Sequence, residues 1–243
     1  MEPVDPDEPA ERAPRWGLGD VAAGLVAGLA LSSLVAALWL SLSGDEELDL
    51  TGQALSQIGL WTGMVGAAVL ATQRKGNGSL ARDFGLRARW SDLWVGLGVA
   101  LAVQLIVLPM VGLLLRPLLG EPEVSGPVQD LMDKAQGVAF VGLVLSVAVG
   151  APIVEELFFR GLLLRSLQRR MPDTAAILLS SVAFGLAHAS ALPADAVILV
   201  MVSLTVFGAV LAALAVRTGR LGPGIVAHAS FNLFTVIYLA VTG

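Results

Sequence analysis

Two adjacent carboxylates, Glu155 and Glu156, sit inside an otherwise apolar stretch of this 243-residue chain, with Arg160 one helical turn after the second. The only two histidines, His188 and His228, also fall in apolar stretches, and Asn232 follows His228 by four residues. A carboxylate beside an imidazole can take a proton from water, while a second imidazole and an amide can donate hydrogen bonds to a developing oxyanion. With an acid for the leaving amine, those are the requirements for hydrolysing a peptide bond. The expected roles are Glu155 paired with His188 as general base, and His228 with Asn232 as oxyanion donors. Glu156 and Arg160 are expected to form a structural ion pair, since the i,i+4 spacing lowers the cost of carrying both charges. No cofactor is required by this set, although Glu155, His188 and His228 could instead hold zinc, because two His and one Glu with an open fourth position is a catalytic arrangement.

These residues need elements that can carry them through lipid. The chain is 56% hydrophobic and 14% charged, with a mean hydropathy of +0.78, outside the balance of a soluble domain. A bilayer core of roughly 30 Å needs about 20 apolar residues in a helix. Seven stretches qualify, near residues 18–42, 53–72, 92–115, 137–164, 174–192, 195–216 and 222–242. The expected fold is therefore all-α, a polytopic transmembrane helix bundle of about seven spans with its site between spans four, five and seven. Residues 1–16 read as a disordered acidic tail holding Glu2, Asp5, Asp7, Glu8 and Glu11 among prolines, 17–136 as N-terminal transmembrane helices and 137–243 as the catalytic helix core. The first apolar run lacks the positive start and small-residue cleavage site of a secretory signal and reads as a retained anchor.

Loop charges alternate. Arg74, Lys75, Arg82, Arg87 and Arg89 follow span two; Arg165, Arg169 and Arg170 close span four; Arg217 and Arg220 follow span six. The opposite loops carry Asp45, Glu46, Glu47, Asp49, Glu121, Glu123, Asp130 and Asp133. The positive-inside rule then places the amino terminus in the cytoplasm of a multi-pass plasma-membrane protein. Zero cysteines exclude disulfides, thiolate catalysis and Cys-ligated metal centres, and no basic, aromatic-rich segment suggests nucleic acid as a partner. The partners expected are the bilayer and a membrane-associated peptide or protein substrate.

Geometry read from spacing supports one site. Spans four and five are joined by a short turn at Met171, Pro172 and Asp173, so they should pack as an antiparallel hairpin. Glu155 and His188 lie nearly equidistant from that turn, about 25 Å along each helix at 1.5 Å per residue, and can face each other. Phe184 and His188 share one helix face, as do His228 and Asn232. Pro152 removes a backbone hydrogen bond just ahead of the acidic pair and should kink span four, leaving room for water. Trp16, Trp39, Trp61, Trp90 and Trp94 are expected to anchor the interfaces.

Other intramembrane protease patterns fit less well. The zinc signature H-E-x-x-H is absent. Gly17, Leu18, Gly19 and Asp20 spell G-x-G-D, but no second Asp lies within a span, and Asp20 reads as a helix cap. There is no G-x-S-G loop for a serine nucleophile. What remains is E-E-x-x-x-R from Glu155 to Arg160, F-x-x-x-H from Phe184 to His188 and H-x-x-x-N from His228 to Asn232. In that order the three motifs resemble the CPBP family, the CAAX prenyl endopeptidases and bacteriocin-processing or immunity proteins. The resemblance implies an intramembrane endopeptidase with the first-motif Glu as base beside the second-motif His, and the third-motif His and Asn as oxyanion donors. Such families have been described both as glutamate-type and as metalloproteases; the glutamate type fits here because the oxyanion role occupies His228. Richness in Ala, Gly and Arg suggests a bacterial source, where prenylated substrates are not expected. A non-enzymatic scaffold or immunity protein, whose polar cluster binds a partner helix or relays protons, is the competing class.

Overall fold

The computed structural model describes residues 14–120, 126–189 and 196–242. Residues 1–13 of the acidic tail lie outside the described residues. The described chain is helical throughout, in the order α1 (Leu18–Ser43), α2 (Leu50–Lys75), the short α3 (Leu80–Asp83), α4 (Trp90–Leu119), α5 (Gly126–Lys134), α6 (Val138–Gln168), α7 (Asp173–Ala187), α8 (Val197–Thr218) and α9 (Gly222–Thr242). Six of these, α1, α2, α4, α6, α8 and α9, are long and apolar enough to cross a membrane. The protein is an all-α polytopic bundle.

Span five is shorter than its apolar run suggests. The run continues to residue 192, but α7 ends at Ala187, and residues 190–195 lie outside the described set. Fifteen residues extend about 22 Å, short of the roughly 30 Å core. The helix stops where the His188 ring Nδ1 donates to the Phe184 carbonyl at 2.8 Å, taking one of the acceptors that the last turn leaves open. His188 therefore caps α7 at its carboxyl-terminal end.

Helices α1 and α2 form a tightly packed hairpin because glycines face each other. A Cβ on Gly28 would fall 2.7 Å from the Leu60 carbonyl oxygen, and one on Gly63 would strike the backbone of Gly28. In lipid, where apolar burial adds little between helices, such close approach supplies the packing. Gly63→Val should separate this pair and lower the melting temperature in detergent, by about 2–12 °C if the overpacking costs 1–3 kcal/mol. An unchanged melt would show that the hairpin does not depend on this contact.

The polar ends of the helices are stitched together on one side. Arg15 N–H donates to the Lys75 carbonyl at 2.6 Å, and Arg220 pairs with buried Asp92 at 2.6 Å. The Arg165 guanidinium donates to the Gly219 carbonyl at 3.0 Å. Asp20 accepts the Gly17 N–H at 3.0 Å as a cap and also pairs with Lys75 at 2.7 Å. Trp16, read from sequence as the end of the tail and an interface anchor, is instead buried against Phe84 (ring centroids 4.9 Å apart) beneath Arg169. Trp90 and Trp94 are exposed.

Pro109 in α4 and Pro152 in α6 are accommodated by widening rather than by breaking the helix. Each follows a five-residue π-helical turn, Val103–Val107 before Pro109 and Ser146–Gly150 before Pro152. In both, the residue preceding the proline donates to the carbonyl five positions back, Leu108 to Val103 and Ala151 to Ser146. A further π-helical stretch, Glu156–Leu163, begins just after Glu155 and carries Glu156 and Arg160. Such bulges insert a residue without ending the helix and recur at functional positions.

Candidate active site

Helix α6 supplies Glu155, Glu156 and Arg160, the end of α7 supplies His188, and α9 supplies His228 and Asn232. The structure brings all six into one region. The Glu155 carboxylate Oε2 lies 3.9 Å from His188 Nε2 and 3.8 Å from His228 Nε2. Glu155 and His188 are the accessible members, with side chains 14% and 35% exposed, while Glu156, Arg160 and His228 lie at 0%, 1% and 5%. Exposure thus separates an open edge, where a substrate carbonyl and water could enter, from a sealed interior.

Glu156 Oε1 pairs with Arg160 at 2.9 Å, as the i,i+4 spacing predicts. It also lies 3.3 Å from His228 Nδ1, a contact across helices that the sequence does not reveal. Arg160 further donates to the Gly208 carbonyl at 3.1 Å and lies 4.3 Å from the Phe184 ring centroid. Small residues make room for this pair. A Cβ on Gly224 would fall 2.9 Å from Glu156 Oε2, and one on Gly208 would fall 3.1 Å from the Arg160 guanidinium.

Hydrogen-bond partners constrain which ring nitrogen carries the proton. The Phe184 carbonyl can only accept, so His188 Nδ1 donates and a neutral His188 ring presents its Nε2 lone pair toward Glu155. An ionised Glu156 likewise receives Nδ1–H from His228, which leaves His228 Nε2 directed at Glu155. Separations of 3.8 and 3.9 Å exceed a direct hydrogen bond and suit an intervening water. Phe184 and Phe207 hold His228 edge-on from two sides, with centroids 5.7 and 5.4 Å from the imidazole.

Asn232 is placed differently from the histidines. Its amide nitrogen donates to the Val147 carbonyl on α6 at 2.8 Å, which uses one of its two N–H groups. Among the described residues no group of three His, Asp or Glu side chains stands in metal-holding geometry. A cavity of about 750 Å³ between the acidic α1–α2 loop and Lys134 contains none of the site residues.

Residues 137–234 match the family model described as Type II CAAX prenyl endopeptidase Rce1-like. No curated protein and no solved structure matches the chain. The matched segment contains Glu155, Glu156, Arg160, His188, His228 and Asn232, all the site residues on α6, α7 and α9. The match over residues 137–234 supports a relationship of this segment to the CPBP/CAAX protease family.

Proposed function

We propose that the protein hydrolyses a peptide bond of a membrane-associated or lipidated substrate using water activated between Glu155 and His188. The observation that carries this reading is the convergence of Glu155 Oε2 with two imidazole Nε2 atoms, each ring held through its Nδ1 by an acceptor. A water in that gap donates one hydrogen to Glu155 and the other to His188 Nε2. Glu155 takes the proton as the oxygen attacks the substrate carbonyl carbon, so the carbonyl oxygen gains the electron pair. His228, as an imidazolium that keeps Nδ1–H on Glu156 and presents Nε2–H, and the free N–H of Asn232 donate to that oxyanion. Collapse breaks the C–N bond as protonated Glu155 returns its proton to the leaving amine. Glu156 and Arg160 stay out of the reacting atoms, and Glu156 fixes the His228 ring.

The end of the bundle stitched by Arg15, Arg165, Arg169 and Arg220 is assigned to the cytoplasm of a plasma-membrane protein, with the amino terminus on that side. The test is cleavage of a panel of fluorogenic prenylated and transmembrane peptides by purified protein in detergent, with and without a chelator. Wild type should cleave in the presence of chelator, and His188→Ala should fall by about 10²-fold or more. Loss on chelation with recovery on zinc would overturn the water mechanism in favour of a metal. Silence of folded wild type across the panel would favour a partner-binding scaffold.

A further inference from the structure

The Val147 carbonyl is left without a backbone donor by two adjacent features of α6. In an α-helix its partner would be the Ala151 N–H, but the π-helical turn sends that N–H to Ser146. In the π register its partner would be residue 152, which is a proline and has no N–H. A carbonyl unpaired inside a bilayer is strongly unfavourable, because no water is present to replace the donor. The amide that pairs with it comes from another helix: Asn232 Nδ2 on α9, at 2.8 Å.

We infer that Pro152 is a positioning residue for Asn232, exposing the Val147 carbonyl as a dock that fixes the Asn232 amide one turn from His228. This rests on the proposed role of Asn232 as an oxyanion donor. With one N–H held by Val147, the amide plane is set, and the second N–H points in a defined direction without being ordered at each turnover. Val147 lies eight residues before Glu155 on the same helix, so the dock also ties α9 to the helix that carries the base. A proline that merely bent the helix would leave the amide free of this bond.

The test is a double-mutant cycle on the full-length protein in detergent, with wild type, Pro152→Ala, Asn232→Ala and the double variant. Pro152→Ala restores a backbone N–H that can reach the Val147 carbonyl. Asn232→Ala should therefore lower the melting temperature by about 2–6 °C with Pro152 present and by less than half as much in the Pro152→Ala background. Equal losses in the two backgrounds would overturn the inference. Kinetics on a fluorogenic farnesylated peptide ending in a C-a-a-X sequence give the second readout. Pro152→Ala should lower kcat about 10- to 100-fold with KM within twofold, since the donor is released but not removed. An unchanged kcat in Pro152→Ala, alongside a loss in Asn232→Ala, would overturn the positioning role. A wild type that cleaves no peptide removes the catalytic half of the inference together with the peptidase reading, whereas additive melting losses remove the docked amide itself.

Discussion

Glu155→Gln should lower kcat by about 10²- to 10⁴-fold, the range that a general base contributes, while the protein keeps its expression and melting temperature. The substitution is nearly isosteric and retains an acceptor oxygen, but an amide cannot take a proton from water. Little structure depends on the charge: the nearest groups are imidazole nitrogens 3.8 and 3.9 Å away, and the side chain is partly exposed. The melt should thus move by no more than about 2 °C, equivalent to roughly 0.5–1 kcal/mol in a chain of this size. KM should change little, because the water contact contributes to the transition state rather than to holding the peptide. The measurement is steady-state cleavage of the most active peptide of the panel, beside a thermal melt. If turnover survives in Glu155→Gln, the base is elsewhere. If Glu155→Gln and His188→Ala are each inactive, their combination should be no worse than either, since two groups that act on one water are non-additive.

Much of this site is legible in the sequence alone, because intramembrane polar residues are few and each demands a partner. Counting from the turn at Met171, Pro172 and Asp173 matches Glu155 with His188, and the two do face each other. That count works since a short antiparallel connection fixes depth on both helices. Glu156 and Arg160 are legible from one number, their separation of four. The Glu156–His228 contact is not, because the rotation of α9 against α6 is set by what packs between helices. Gly208 and Gly224, whose missing side chains admit Arg160 and Glu156, are the signal that could expose it, but glycines are common throughout the spans.

Other features escape a sequence reading for a different physical reason. Hydrophobicity reports what can be buried, not where hydrogen bonding stops. The apolar run of span five continues past His188, yet a ring-to-carbonyl bond at 2.8 Å closes the helix there. Pro152 announces a lost hydrogen bond, and a loss is what occurs. A π-helical turn that absorbs it, and the choice of the Val147 carbonyl as the orphan, depend on register that an i,i+4 reading cannot supply. Proximity to a span end points Trp16 toward the interface, but its ring packs beside Phe84 and Arg169, contacts made across long stretches of sequence.

Arg160→Met should be the most destabilising single change in the site, because it leaves Glu156 fully buried without its guanidinium partner. Breaking a buried pair from one side costs about 3–5 kcal/mol, which in a chain of this size lowers the melting temperature by roughly 6–20 °C. Arg160 also donates to the Gly208 carbonyl and stacks on Phe184, so that oxygen and ring lose a partner too. A 70 Å³ cavity lined by Arg160, Leu164, Arg165, Gln168, Ala215, Val216 and Gly219 is large enough to admit water, which would place the loss near the lower end of that range. Replacing both partners separates stability from function. In Glu156→Leu/Arg160→Met neither charge remains, so most of the melting temperature should return, since a buried pair exchanged for apolar groups of similar size is close to neutral. Activity should not return with it, because His228 Nδ1 then has no acceptor and its Nε2 is no longer held toward Glu155. A double variant that regains both stability and turnover would show that Glu156 serves Arg160 alone. One that regains stability but stays inactive assigns Glu156 to His228, as the 3.3 Å contact requires.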